Sequence, residues 1–239
     1  MIVALIVVRT VAMTRRSAHY AIALGLAAAL CLAMPASAQD FKAATSAVPV
    51  PAEVSSAIRG VLSPVSTSVT SGSSAYCEIW MRTSIPANAA SGNPPLGVNY
   101  GQFVDGEIVG AIHLDVAVKD FRNQPVKPGT YLMRYGLQPV DGNHQGVSDF
   151  RDFLLLTPAA QDTTSDNLSD NDMYALSRKA TTTGHPSVWS LVPTDSAPTL
   201  LPGTKQDTNE DLWTVYFKAA AGSSPLTVGL VIFGHAATP

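Results

Sequence analysis

Residues 108–119, IVGAIHLDVAVK, alternate between apolar and polar side chains over most of their length. The apolar positions that share one face are Ile112, Leu114, Val116 and Val118. A side-chain period of two is that of a β-strand with one buried face, whereas a helix has a period of about 3.6. The stretch therefore predicts a long strand and makes β-structure the first expectation for the rest of the chain.

Six further segments repeat this alternation or form short runs of β-branched and aromatic residues, and turn-forming residues separate them. They are residues 75–81, 130–135, 150–157, 187–192, 212–219 and 226–233. Two stretches rich in polar, Pro and Gly residues, 83–101 and 195–211, are predicted to be loops. Because strands do not alternate with helices, the pattern predicts a mainly β fold, an antiparallel β-sandwich of about six to nine strands.

One or two short helices are predicted at the periphery of this sandwich. Residues 52–62 carry apolar side chains at the spacing of one helix face. Residues 168–179 are acidic near their start and basic at their end, which favours a helix through its dipole. The expected N-cap of this second helix is Ser165 or Asp166. We expect the second helix to cover an edge or an open end of the sandwich.

The N-terminus has the three parts of a secretory signal peptide. Arg15 and Arg16 form a charged region, an apolar run covers residues 21–32, and small residues precede a cleavage site after Ala38. The apolar run is shorter than the roughly 20 residues that a transmembrane helix needs. We therefore expect residues 1–38 to be removed on export to the periplasm or the extracellular space, which leaves no membrane span.

The same reasoning divides the rest of the chain. Met13 directly precedes the charged region, so residues 1–12 are interpreted as an over-extended start. Residues 39–51 lack periodicity and are predicted to be a flexible mature N-terminus. Residues 52–239 are predicted to form a single β-sandwich domain, because a chain of this length can build one core.

Signal-peptide removal changes the charge and the cysteine content of the chain. Three of the 15 basic residues lie before the cleavage site, so twelve basic residues face 18 acidic ones, a net charge of −6. A mildly acidic domain lacks the basic surface that nucleic acids require. The mature chain retains only Cys77 and cannot form an intramolecular disulfide, so its core must stabilise the fold.

The sequence contains no recognisable catalytic or cofactor motif, so no cofactor and no metal site are predicted. The nucleophile motif G-x-S-x-G of serine hydrolases is absent. The mature histidines are His113, His144, His185 and His235, and none has a second histidine at the spacing of a zinc-binding pair. His113 and Asp115 share a strand face, which is typical of a solvated sheet surface.

Residues 141–146, DGNHQG, form the polar segment that best suits a ligand site. Its glycines permit a tight loop, and polar loops at the end of a sandwich are common places for small polar ligands. The alternative is a hairpin loop whose Asp and Asn side chains satisfy their own backbone. The candidate ligand-binding residues are Asp141, Asn143, His144, Arg151, Asp152 and His185, and no catalytic residue is assigned.

Several short segments carry a resemblance to known proteins. They are 77–80 (CEIW), 128–131 (PGTY), 141–144 (DGNH), 151–153 (RDF), 176–180 (LSRKA) and 184–186 (GHP). In these segments the chain resembles a group of uncharacterised exported bacterial β-sandwich proteins, and the likeness covers most of the mature chain. The resemblance implies the fold and the compartment, and it implies no activity.

These observations leave two classes of function open. The first is a non-catalytic periplasmic or secreted protein that binds a small polar ligand, a glycan or another envelope protein, or that has a purely structural role. The second is a hydrolase or metal-dependent enzyme whose site is assembled from loops around His144 and His185. The enzyme requires His144 and His185 to meet His113, Arg151 and Asp152 in one concave pocket.

Overall fold

The computed structural model describes residues 39–88, 94–141, 144 and 148–236, and the predicted signal peptide lies outside this part. The described residues form twelve strands and two helices. The strands are β1 (Phe41–Ser46), β2 (Ser66–Ser71), β3 (Ser74–Met81), β4 (Ile108–Leu114), β5 (Val118–Lys119), β6 (Pro125–Val126), β7 (Gly129–Leu137), β8 (Asp152–Pro158), β9 (Ser187–Val192), β10 (Gly203–Asp207), β11 (Leu212–Ala221) and β12 (Ser224–Phe233). The helices are α1 (Ser56–Arg59) and α2 (Asp170–Ser177), and within these residues no helix has the length and apolar character to cross a bilayer.

Ten of the strands form a single antiparallel sheet. Their order is β1-β2-β3-β4-β7-β8-β9-β12-β11-β10, and β5 pairs separately with β6. The two edge strands meet, because Thr204 Oγ1 on β10 donates a hydrogen bond of 2.7 Å to the carbonyl of Phe41 on β1. The sheet is therefore nearly closed and barrel-like. The prediction of a mainly β, antiparallel fold is confirmed, whereas the sandwich of six to nine strands is not, since ten strands form one continuous sheet.

The interior of this sheet is filled by apolar faces that the sequence predicted. On β3, Cys77, Ile79 and Met81 all belong to the interior cluster, as their alternation requires. Ile79 pairs with Ile112 of β4, which in turn pairs with Tyr131 of β7, so one buried row crosses three strands. Burial of such rows stabilises the fold by about 25 cal/mol per Å² of apolar surface.

The outer face of the sheet is partly covered by α1. This helix is one turn long, shorter than the predicted 52–62, and its N-cap Ser55 accepts a hydrogen bond from the backbone N–H of Ile58. Val54 and Ile58 pack against Trp80 of β3. Trp80 is only 1% exposed, because α1 and its neighbours cover it.

Three strands of the ten-stranded sheet were not predicted from the sequence. β1 lies within residues 39–51, which we expected to be a flexible N-terminus, and β10 lies within the predicted loop 195–211. Both are edge strands with one sheet partner, so their polar side chains hide the alternation. β2 has Val69 as its single buried apolar residue. Conversely, the predicted strand 108–119 ends at Leu114, and its last residues belong to β5.

A buried ion pair attaches the segment before α2 to the outer face of the sheet. Arg134 on β7 donates from Nε and Nη2 to the two carboxylate oxygens of Asp162, at 2.6 and 2.7 Å. The two side chains are 0% and 1% exposed. The same guanidinium also donates to the carbonyls of Gly106, Thr164 and Asp166. Arg134 thus fixes the path of the chain that leads into α2.

The position of α2 follows from its cap and from one buried side chain. Its N-cap is Ser169, which accepts from the N–H of Asp172, and neither of the two expected caps serves this role. Met173 is fully buried and lies over Gly136 of β7. A Cβ at Gly136 would come within 3.4 Å of the Met173 methyl carbon, so the absent side chain lets α2 approach the sheet.

Candidate functional site

A cavity of about 290 Å³ lies on the outer face of the sheet, beside α2 and β7 to β9. Its apolar side chains are Phe121, Leu137, Pro139, Phe153, Leu155, Pro186 and Val188. Its polar side chains are Arg122, Gln138, His144, Tyr174, Arg178 and His185. The cavity therefore joins an apolar surface to cationic and hydrogen-bonding groups, and it includes two of the residues that the sequence singled out.

The apolar part of the lining comes from the outward positions of three neighbouring strands. Phe153 and Leu155 alternate on β8 with interior residues, and Val188 lies on the adjacent β9. Gly136 of β7 contributes no side chain, so the surface between α2 and the sheet stays open there. Small-molecule sites are commonly concave and mostly apolar with a few fixed polar groups, and this cavity has that composition.

His144 reaches the cavity from the predicted polar segment and is oriented by a carboxylate. Its Nδ1 lies 2.7 Å from Asp141 Oδ1, and the His144 and Asp141 side chains are 26% and 48% exposed. Because a carboxylate only accepts hydrogen bonds, His144 Nδ1 carries the proton of this bond. The arrangement fixes the imidazole and leaves Nε2 as the nitrogen that can accept or donate a proton.

His185 reaches the same cavity from the turn before β9. Its Nδ1 lies 3.1 Å from the carbonyl of Pro186, so this nitrogen carries the proton. Burial lowers the pKa of His185 below its usual range; Arg122 and His144 add to the decrease, while the Pro186 carbonyl and Asp120 oppose it. This decrease favours the neutral form of the His185 imidazole.

Buried hydrogen bonds hold the turn that carries His185. Gln124 donates from Nε2 to the carbonyl of Pro186 at 3.0 Å and accepts from the hydroxyl of Thr183. The same Nε2 donates to Asp120 at 2.8 Å, and Asp120 also accepts from the N–H of Val188 at 3.0 Å. The imidazole therefore projects from a fixed turn, which is what a binding site requires of its polar groups.

Gln138 and Arg151 connect the predicted polar segment to the end of β7. Gln138 Nε2 donates to the carbonyl of His144, and Arg151 donates from Nε and Nη2 to the carbonyl of Gln138 at 3.2 and 3.0 Å. Within the described residues, Gln138 Oε1 is buried and has no hydrogen-bond partner. Arg151 does not line the cavity, so its observed role is to hold the strand end that places Gln138 there.

The other predicted residues lie elsewhere or outside the described part. Asp152 is 0% exposed and accepts from the N–H groups of Asn99 and Tyr100, at 2.6 and 3.0 Å, and from Tyr135 Oη at 2.7 Å. It therefore fixes a loop at the end of the sheet and does not line the cavity. Asn143 lies outside the described residues.

His113 is also separate from the cavity. It lies on β4, pairs with Glu78 and Thr130 on the neighbouring strands, and its Nδ1 is 2.8 Å from Thr130 Oγ1. Of the set that the enzyme hypothesis required, the cavity lining includes His144 and His185 and not His113, Arg151 or Asp152. The five residues therefore do not meet in one pocket, although His144 and His185 do.

Four polar lining residues were not predicted. They are Arg122, Gln138, Tyr174 and Arg178. Arg178 had been assigned to a favourable interaction with the helix dipole, and it indeed follows the last residue of α2. Arg122 lies in a turn far away in sequence. Nothing local distinguishes these residues from surface arginines, because their common location appears only when the sheet and α2 are assembled.

A second, wider depression of about 940 Å³ borders β10, β11 and the end of β12. Acidic side chains predominate among its charged residues: Asp149, Asp195, Asp207 and Glu210 face Lys205 and His235. No group of three or more His, Cys, Asp or Glu in the described part of the chain is arranged to hold a metal ion. None of the described candidate residues lines this depression, so the smaller cavity is the candidate site.

The free thiol is unsuited to chemistry at either location. Cys77 is 2% exposed in the interior of the sheet, and burial raises the pKa of its thiol far above the usual range, with Asp115 and Glu78 adding to the increase. A thiol without access to solvent or to a stabilising positive charge stays protonated and unreactive.

Comparison with known proteins identified no relative: no family model, curated protein or solved structure matches the chain. The candidate site is therefore defined by its own geometry and chemistry.

Proposed function

We propose that this chain is an exported, non-catalytic protein that binds one small molecule in the cavity lined by His144 and His185. The observation that carries the proposal is the cavity itself, in which an apolar surface faces a few polar groups with fixed orientations. That combination provides affinity through burial and selectivity through the polar groups. Export is supported by the signal-peptide pattern of residues 1–38.

The dimensions of the site favour a small molecule over a glycan chain or an envelope protein. A volume of about 290 Å³ accommodates a compact ligand, and its lining is mainly apolar, with Phe153, Leu155 and Val188 among the contributing residues. A protein partner would require a much larger interface, of roughly 800 Å² on each side. A glycan would present hydroxyl groups to a predominantly apolar wall, where they would lose hydrogen bonds to water.

A hydrolase is the second candidate, and the Asp141–His144 pair favours it. An imidazole held by a carboxylate is the arrangement of a general base, and His144 Nε2 could deprotonate a water molecule. Among the described residues that line the cavity, however, no carboxylate, serine, threonine or cysteine is present. Catalysis would therefore depend on water as the nucleophile and on the two arginines for transition-state charge.

Saturation-transfer NMR on the exported protein, with a panel of small aromatic and aliphatic acids, alcohols and amines, tests the proposal. Val188→Phe places a ring in the cavity, whereas Val65→Phe makes the same change at a position that is 53% exposed and outside the lining. We expect at least one compound to bind the wild type and Val65→Phe but not Val188→Phe. If no panel member shows that pattern, the cavity is not a binding site.

The enzyme is distinguished by the fate of the bound compound. Esters and amides of the compounds that bind should remain intact after prolonged incubation if the protein only binds them. Hydrolysis that is lost in His144→Gln and retained in His113→Gln would replace the binding proposal with the hydrolase. His113 is a suitable control because its imidazole lies on β4, outside the cavity lining.

A further inference from the structure

The arginines of the described chain fall into two groups. Arg59 donates to the carbonyls of Ala52 and Val54, in the segment that precedes α1. Arg82 and Arg134 each form an ion pair with a buried carboxylate. Arg151 donates to the carbonyl of Gln138, the residue that follows β7. These four guanidinium groups are thus used by the fold. Their hydrogen bonds show that this protein normally satisfies an arginine with an acceptor from its own chain.

The other two arginines have no such acceptor. The guanidinium groups of Arg122 and Arg178 form neither an ion pair nor a hydrogen bond with any residue that the structure describes. Both line the same cavity, although one follows Phe121 near β5 and the other follows the end of α2. Two unneutralised cations from separate elements beside one apolar cavity form a site for a negatively charged group.

From this juxtaposition we propose that the cavity binds an organic carboxylate, with the carboxylate at Arg122 and Arg178 and the apolar body against β8 and β9. The inference rests on the proposed function and specifies its ligand class. Arginine presents paired N–H donors in one plane, a geometry that matches the two oxygens of a carboxylate. The apolar lining excludes an ion that is charged throughout, because such an ion would lose its hydration there.

The nearby carboxylates of the protein form no ion pair with Arg122 or Arg178 in the described part of the chain. Asp120 is 1% exposed and already accepts from three backbone N–H groups and from Gln124. Asp141 is engaged with His144. No acidic side chain lies in the described lining, so the ligand would supply a negative charge there. The lowered pKa of His185, caused first by burial and then by the charge of Arg122, is consistent with this arrangement.

Matched ligands isolate the charge. The probes are 4-hydroxyphenylacetate, its neutral alcohol 2-(4-hydroxyphenyl)ethanol and its cationic amine tyramine, which share one aromatic ring and a two-carbon arm. Titration calorimetry at low salt gives the dissociation constant of each probe for the exported wild-type protein. We expect the acid to bind about tenfold or more tightly than the alcohol, and the amine to bind most weakly, as charge-assisted hydrogen bonds imply.

Matched variants isolate the two arginines. The test variant is Arg122→Gln with Arg178→Gln, and the control is Lys119→Gln with Lys179→Gln, which removes the same net charge from exposed positions outside the lining. Both should retain the wild-type melting temperature, since the two guanidinium groups are not bonded within the described chain. The test variant should bind acid and alcohol equally, and the control should keep the preference for the acid.

Failure of the inference differs from failure of the proposed function. If the alcohol binds as tightly as the acid, or if the preference persists in Arg122→Gln with Arg178→Gln, the carboxylate assignment is overturned. The binding function then still stands, provided that Val188→Phe abolishes binding of any panel compound. If none of the three probes binds, the carboxylate class represented by the acid is likewise rejected, whatever the panel shows.

Discussion

Substitution of Asp162 by Asn tests whether the buried ion pair on the outer face of the sheet holds α2 in place. The change preserves shape and removes the negative charge that faces Arg134, whose side chain is 0% exposed. Both hydrogen bonds of the pair are short, at 2.6 and 2.7 Å, and Thr157 Oγ1 contributes a third bond to the same carboxylate at 2.5 Å. Because the arginine stays buried without a counter-charge, we expect a loss of about 3–5 kcal/mol in the free energy of unfolding.

The measurement is equilibrium unfolding in guanidinium chloride, followed by tryptophan fluorescence. With a denaturant dependence of about 4 kcal/mol per molar, the midpoint should fall by about 1 M in Asp162→Asn. Asp166→Asn is the matched control, because Asp166 is exposed and Arg134 contacts only its backbone carbonyl. That control should change stability by no more than about 0.5 kcal/mol. Equal midpoints for the two variants would refute the reasoning that charge burial anchors the segment.

Three further predictions concern the core and the cavity. Gly110→Ala should lower the free energy of unfolding, measured with denaturant, by several kcal/mol, because its Cβ would lie 2.4 Å from the Trp80 carbonyl oxygen. Gly60→Ala, whose Cβ would lie 3.5 Å from the nearest atom, should be nearly neutral. Equal losses of stability in the two variants would contradict the close packing at Gly110. Cys77 should not react with Ellman's reagent in native protein and should react fully in denaturant, and rapid native labelling would show that the interior opens. Because folding lowers the pKa of His185, the unfolded chain binds a proton at His185 at a higher pH than the folded protein does. The stability that His185 contributes in its neutral form is therefore present above about pH 6.5 and is lost as the pH falls below that value. His185→Gln should therefore lose less stability than the wild type between about pH 7.5 and 5, and parallel losses would oppose the shift.

The sequence predicted the fold where side chains alternate strongly. The bounds 187–192 coincide with β9, and Ile112 and Leu114, which the alternation places on one strand face, both lie in the interior cluster. The edge strands β1 and β10 could not be predicted in this way, because strands with one partner bury fewer side chains and tolerate polar residues on both faces. Closure of the sheet depends on those strands, so the step from a sandwich to a single sheet was also inaccessible.

The candidate site was predictable in part, and the assignment of Asp152 to the site could have been avoided from the sequence. Asp152 has the same strand parity as Leu154 and Leu156, which face the interior, so alternation along β8 already directs its carboxylate inward. His144 and His185 drew attention as isolated histidines in polar turns. The role inferred for Arg122 and Arg178 depends on the absence of an acceptor for their guanidinium groups among the described residues. A sequence does not show which side-chain donors lack an acceptor in the folded protein.

The hydrogen bond between Thr204 and Phe41 joins residues 163 positions apart, and the hydroxyl of Tyr76 likewise donates to the carbonyl of Ile232 across 156 positions. Synthesis delivers the N-terminal strands first, so β1 and β2 exist for some time with an unpaired edge while β10 is still unmade. Folding that depends on such distant contacts is slow, and an open strand edge can pair with other chains in that interval. The Lys, Thr and Ser side chains of β1 and β2 reduce this hazard. The polarity that hides these strands from sequence analysis thus protects the unfinished sheet from intermolecular pairing until its last strands arrive.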